Sequence, residues 1–126
     1  MFKIQKKILY AIEAVIDISI NSGTQPVQNV SIAQRQGIPK RYLEQTLQKL
    51  VQKRILVRSR GPKGGYRLSR EKRKVTVSDI IEAVCDGDQI YSEHASELSK
   101  KVIQPLINKI SHKFLSYFSE ITVSEL

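Results

Sequence analysis

Residues 31–68 run SIAQRQGIPKRYLEQTLQKLVQKRILVRSRGPKGGYRL, and the pattern changes twice within them. The first part closes a short helix over about 29–36, with Asn29 as its expected N-cap and Gly37 as its stop. Pro39 suits the first turn of a following helix, where a missing N–H leaves no bond unmade. In that helix, running to about Lys53, one side carries Tyr42, Leu43, Thr46, Leu47 and Leu50. Lys40, Arg41, Glu44, Gln45, Gln48 and Lys49 occupy the rest. Residues 55–60 then read as a short β run. Gly61-Pro62-Lys63-Gly64-Gly65 continues neither element and makes a turn. Tyr66-Arg67-Leu68 is the return strand, so the segment ends in a β-hairpin with a basic tip.

Working outward, residues 4–20 show Ile4, Ile8, Leu9, Ile12, Val15, Ile16 and Ile20 at three- and four-residue steps, the spacing of a helix. Asn21-Ser22-Gly23 ends it, and 24–27 is a link with room for one strand rung. A fourth helix fits Ser78 to Val84, with Ser78 as its expected N-cap. Residues 86–97 are polar and acidic and read as a loop. From 98 to 119 helical spacing returns in Leu98, Val102, Ile103, Leu106, Ile110, Phe114 and Phe118. Pro105 lies inside that pattern and costs ~3 kcal/mol in a helix interior. The long helix is therefore expected either to start near Val102, with Pro105 in its first turn, or to kink at Pro105, and the later start is the preferred reading. The fold class that follows is mainly α with a small β-hairpin. It is a winged helix-turn-helix head (1–85), followed by a linker and a long C-terminal dimerisation helix (86–126).

Charge points to the partner. The chain has 126 residues and a formal net charge of +9. Residues 1–74 hold 17 basic and 4 acidic residues, whereas 75–126 hold 4 basic and 8 acidic ones. One half is thus a polycation, which favours a polyanion, nucleic acid before anionic membrane. No apolar run approaches the ~18–20 residues of a membrane span. The start, Met-Phe-Lys-Ile-Gln-Lys-Lys, reads as no signal peptide, so a cytoplasmic location is expected.

Three helices followed by a basic hairpin place the helix over 39–53 in the role of a recognition helix, whose N-terminal residues reach base edges of double-stranded DNA. The hairpin tip is the wing, and Arg60 and Lys63 suit a minor groove, where a narrow groove concentrates negative potential. Gly64 and Gly65 are expected to let the backbone approach phosphate. Tyr42 also has a core reading, because it stands at helical spacing beside Leu43 and Thr46. The stripe Leu106, Ile110, Phe114 and Phe118 fits a dimer seam better than a ligand pocket. Cys85 is a candidate redox residue, against its reading as a small buried side chain. Asp86, Asp88, Glu93, His94 and Glu97 fit a solvated loop better than a metal site. No catalytic constellation is present, and the glycines at 61–65 lack the Gly-Lys-Ser/Thr ending of a phosphate-binding loop. No metal and no cofactor is expected. The rival readings are an RNA-binding module and a winged helix used for protein contact.

The same residues carry a resemblance. Ile32-Ala33, Arg35-Gln36-Gly37-Ile38, Tyr42-Leu43-Glu44-Gln45, Leu47, Leu50, Arg60-Gly61-Pro62 and Gly64-Gly65-Tyr66 resemble the Rrf-two family of bacterial winged-helix transcriptional regulators. Residues 77–84 and 121–126 resemble it too, so the likeness spans nearly the whole chain. The resemblance implies a homodimer reading a pseudo-palindromic operator, with the long helix crossing to the partner. It implies a backbone contact for Lys7, phosphate or base contacts for Arg41, Tyr42 and Gln45, and a base contact for Glu44, since a carboxylate accepts from cytosine N4. Lys40, Arg58, Gly61 and Pro62 join the same surface, and Arg60 is the minor-groove residue. Members that bind an iron–sulfur cluster hold it chiefly by cysteines before the long helix. The corresponding positions fall near Gln89, Ala95, Lys101 and Gln104. None is cysteine or histidine, so no cluster is expected here and DNA binding is expected without a cofactor.

Overall fold

A computed structural model describes residues 4–85 and 96–126. The elements are α1 (Lys6–Asn21), α2 (Asn29–Gln36), α3 (Lys40–Gln52), β1 (Leu56–Ser59), β2 (Gly65–Leu68), α4 (Val77–Cys85) and α5 (Gln104–Phe118). Short 3₁₀ turns lie at Lys72–Lys74 and Val123–Glu125. β1 and β2 pair antiparallel with Leu56 opposite Leu68 and Ser59 opposite Gly65. The link after α1 adds the expected rung: Val27 and Tyr66 exchange two backbone hydrogen bonds of 2.9 and 2.8 Å. The head is thus three helices closed by a hairpin, the winged-helix arrangement.

The core lies where α1 meets α3 and α4. Ala11, Ala14, Val15 and Ile18 of α1 are buried against Leu43, Leu47 and Leu50 of α3 and Ile80 and Val84 of α4. Full burial of each valine, leucine or isoleucine among them contributes roughly 1.5–3 kcal/mol. The buried face of α1 differs from the stripe read in the sequence. Ile4, Leu9 and Ile20 are exposed, and two alanines take their place inside. This helix is apolar around most of its girth, and small residues let neighbouring helices approach closely. Size rather than hydrophobicity therefore chose the inner face.

Three termini also depart from expectation. Gln28, not Asn29, is the N-cap residue of α2, and Asn29 Oδ1 accepts from Val30 N at 2.8 Å. Ser78 is not the N-cap of α4; it lies inside the helix, buried. Thr76 takes the capping place instead. Its Oγ1 accepts from Asp79 N and its own N donates to Asp79 Oδ2, both at 3.0 Å. This is a capping box one turn deep, which satisfies two otherwise orphaned donors. At the long helix, helical backbone begins at Glu97 and passes through a π turn over Ser99–Ile103, so Pro105, although in the first turn of α5, lies inside a helical run that starts earlier than the expected Val102. In the widened turn Gln104 N bonds Ser99 O, so the ladder has already shifted where proline cannot donate.

The end of the chain returns to the head. Val77 N donates to Ile121 O at 2.9 Å and Val123 N to Val75 O at 2.8 Å, and Val123 is buried in the core. α5 is consequently tethered at its C-terminal end to the start of α4.

Candidate nucleic-acid interface

Residues of α3 divide cleanly between core and surface. Leu43, Thr46, Leu47 and Leu50 are buried, while Lys40, Arg41, Glu44 and Gln45 are exposed. Tyr42 falls on the outer side at 58% exposure, so its core reading is set aside. Its ring tilts toward Tyr10 of α1, with centroids 6.5 Å apart. α1 crosses close to the N-terminal half of α3. Lys7 and Tyr10 therefore share a groove of about 510 Å³ with Tyr42, Gln45 and Lys49. Lys49 Nζ donates to Val84 O at 3.4 Å, steadying the C-terminal end of α4 against α3. The structure thus brings Lys7 to the side chains at the start of α3, although more than thirty residues separate them.

The wing forms a second group. Arg58, Arg60, Gly61, Pro62 and Lys63 are exposed at and beside its tip. Gly64 N donates to Gly61 O at 2.9 Å to close the turn. The Arg58 guanidinium sits 5.9 Å from the centroid of the Tyr66 ring, a cation–π distance. Gln28 Nε2 reaches Pro62 O at 3.4 Å, so the wing leans on the start of α2, with a groove of about 430 Å³ between them. The two glycines at 64 and 65 have a structural cause. A Cβ on Gly64 would meet the Ser59 carbonyl, and one on Gly65 would stand 2.5 Å from the Val27 carbonyl oxygen. What they admit is the protein's own backbone.

One feature that positions this surface carries no signal in the sequence periodicity. The Asp17 side chain is buried in α1. Arg35 of α2 holds it with two bonds of 2.9 and 2.8 Å, and Gln36 donates a third at 2.8 Å. Burial pushes the carboxyl up, but these donors and the Arg35 charge outweigh it and hold the group below the usual carboxylate range. The pair fixes α2 on α1 and so sets the angle at which α3 is presented. An acid at one helical step inside an apolar stretch, with an arginine eighteen residues on, was the only available hint.

Elsewhere, Cys85 is partly buried at the end of α4, beside a cavity of about 450 Å³ that Lys53, Arg70, Asp79, Glu82 and Leu115 also line. Along α5, Leu106, Ile110 and Phe114 are exposed and Phe118 is half-buried, its ring edge-on to Phe114 at 4.8 Å. Of the acidic loop cluster, Asp86, Asp88, Glu93 and His94 lie outside the described residues. Among the described residues no group of three His, Cys, Asp or Glu side chains is placed to hold a metal ion. No helix among them is long and apolar enough to cross a membrane.

The sequence pattern of Rrf2, described as an iron-dependent transcriptional regulator, matches residues 4–126. The chain belongs to the Rrf2 family of transcriptional regulators. The HTH-type transcriptional regulator IscR of Vibrio atlanticus is 32% identical over 98% of this chain and 74% of its own length. The solved structure of T. potens IscR superposes with a TM-score of 0.75 at 30% identity, covering 98% of this chain and 85% of that one. CymR, the global cysteine regulator of B. subtilis, superposes at 0.70 with 27% identity, over 99% and 95% of the two chains. Membership makes the protein a DNA-binding transcription regulator and not an enzyme. For the iron in the Rrf2 description, the described residues offer no thiolate beyond Cys85. Cys85 is the sole cysteine of the chain, and Lys101 and Gln104 occupy two of the positions where the resemblance would place ligands. A lysine ammonium and a carboxamide do not replace thiolates.

Proposed function

We propose that the protein is a homodimeric repressor that binds a pseudo-palindromic operator without an iron–sulfur cluster, in the cytoplasm. Residues 1–85 act as the DNA-binding head, and 86–126 as linker and dimerisation arm. The observation that carries this reading is the exposed apolar stripe of α5, with Ile110 and Leu106 each 54% exposed and Tyr117 80%. A stripe of that kind is costly in water and suits a partner helix of the same chain. Two-fold pairing sets two copies of α3 and two wings against one duplex. In each copy, Arg41, Tyr42 and Gln45 contact phosphates or bases and Glu44 reads a base. Lys7, Lys40 and Arg58 hold the backbone, and Arg60 and Lys63 enter or flank the minor groove. Gly61, Pro62, Gly64 and Gly65 shape that wing. Cys85 stands close enough to the surface for oxidation to reach it.

Competition binding tests the partner. A labelled duplex bound by anaerobically purified protein should resist displacement by an RNA hairpin of equal length. Equal displacement would favour an RNA-binding module, and no binding of either at moderate salt would favour protein contact. The same preparation should be colourless; visible charge-transfer absorption with stoichiometric iron would overturn the cluster-free reading.

A further inference from the structure

Residues 53–74 hold ten basic side chains and a single acid, Glu71. The wing tip and its flank use three of them, Arg58, Arg60 and Lys63. Arg67 turns to the link after α1, its Nη2 donating to Thr24 O at 2.6 Å. The others gather at the opposite end of the hairpin. Ser69 N bonds Ile55 O, and Ser69 Oγ bonds Arg54 O. The Arg70 guanidinium then donates to Arg54 O at 3.3 Å, to Lys74 O at 3.0 Å and to Asp79 Oδ2 at 2.9 Å. One cation thereby ties together the chain segments that carry Arg54, Lys72, Arg73 and Lys74. Arg73 pairs with Glu71 at 2.6 Å. The side chains of Arg54, Lys72 and Lys74 are exposed and make no ion pair among the described residues. Like charges repel one another, and of the nearby acids Glu71 and Asp79 are already paired with Arg73 and Arg70, while Glu82 faces the cavity that Lys53 and Arg70 line. Among the described residues, Arg54, Lys72 and Lys74 are thus left without a paired acid, an excess of positive charge that suits a polyanion.

We propose that the base of the wing is a second polyanion-binding surface, formed by Arg54, Lys72 and Lys74, that takes phosphates of the DNA flanking the operator core. This rests on the DNA-binding reading above. The hairpin favours DNA over an acidic protein because exposed basic residues stand at both its ends, Arg58, Arg60 and Lys63 by the tip and Arg54, Lys72 and Lys74 by the base. From Arg60 to Arg54 is six residues, about 20 Å at strand rise. The tip engages the core and the base meets the duplex that continues beyond it.

The test uses two duplexes, the operator core alone and the same core with two helical turns of flank on each side. Arg54→Gln, Lys72→Gln and Lys74→Gln are combined in one variant, and affinity is followed against salt. On the flanked duplex the slope of log affinity against log salt should become shallower by about 2.7 per protomer, the release expected for three phosphates. On the core duplex it should not change. An unchanged slope on the flanked duplex overturns the proposal and leaves an acidic protein surface as the partner. An equal loss on both duplexes overturns it as well. Failure of the parent protein to bind either duplex would instead strike the DNA-binding reading. Should the triple variant not fold, Lys72→Gln with Lys74→Gln carries the same comparison at a slope change of about 1.8.

Discussion

At the scale of single residues, Arg60 and Asp17 do different work. Arg60 stands exposed at the wing and is free to enter a groove. Arg60→Ala should weaken binding most on sites with a narrow minor groove, because those have the deepest negative potential. Equal affinity of parent and variant across wide- and narrow-groove sites would refute the assignment. Asp17 acts inside the head. Its carboxyl is held below the usual range in the folded state, so its stabilising contribution is complete above the unfolded value of about 3.9 and disappears as pH falls through the lower folded value. Denaturant unfolding between neutral pH and about pH 3 should therefore show a loss of stability on the acid side that Asp17→Asn flattens. Arg35→Leu leaves the carboxylate buried without its cation and should cost on the order of 2 kcal/mol at neutral pH, since Arg35 is itself half-exposed. A variant as stable as the parent would contradict the pairing. Tyr42 shows the limit of reading one residue. Spacing alone placed it with Leu43 and Thr46, but position 42 falls at the edge of the inner face, where a ring with a polar end can turn outward.

At the scale of elements, most of the fold was legible. Gly37, Pro39 and the turn at 61–65 act through backbone geometry, and the helix ends and hairpin fell where those residues put them. The errors came where tertiary contacts overrule local pattern. α1 buries alanines because α3 and α4 pack tightly on it. α4 is capped by Thr76 because Asp79 reciprocates at three residues. Gly65 also has a packing role, since the rung between Val27 and Tyr66 leaves no room for a side chain there. Gly65→Ala sets a methyl 2.5 Å from the Val27 carbonyl and should destabilise the head by about 1–3 kcal/mol through forced backbone shift. Thermal unfolding at the parent temperature would argue that the rung gives way easily. On the arm, Ile110→Asp puts a charge in the stripe of α5. It should convert dimer to monomer in sedimentation equilibrium while the helical circular dichroism of the head persists. A variant that stays dimeric would move the seam elsewhere.

At the scale of the whole molecule, charge and apolar surface are segregated. The basic half forms the head, and the exposed apolar residues concentrate on the arm, whose last turn is fastened back to the head through Val123. The asymmetry was visible in composition, yet the juxtaposition of Lys7 with Tyr42 and Gln45 was not, because it depends on the crossing of α1 over α3. The central claim is that two such heads read one symmetric site. Selection from a random duplex pool with anaerobically purified protein, followed by sequencing of the bound fraction, tests it directly. A dimeric regulator predicts a two-fold symmetric motif with half-sites about one helical turn apart. Strong binding without any enriched motif would contradict sequence-specific regulation.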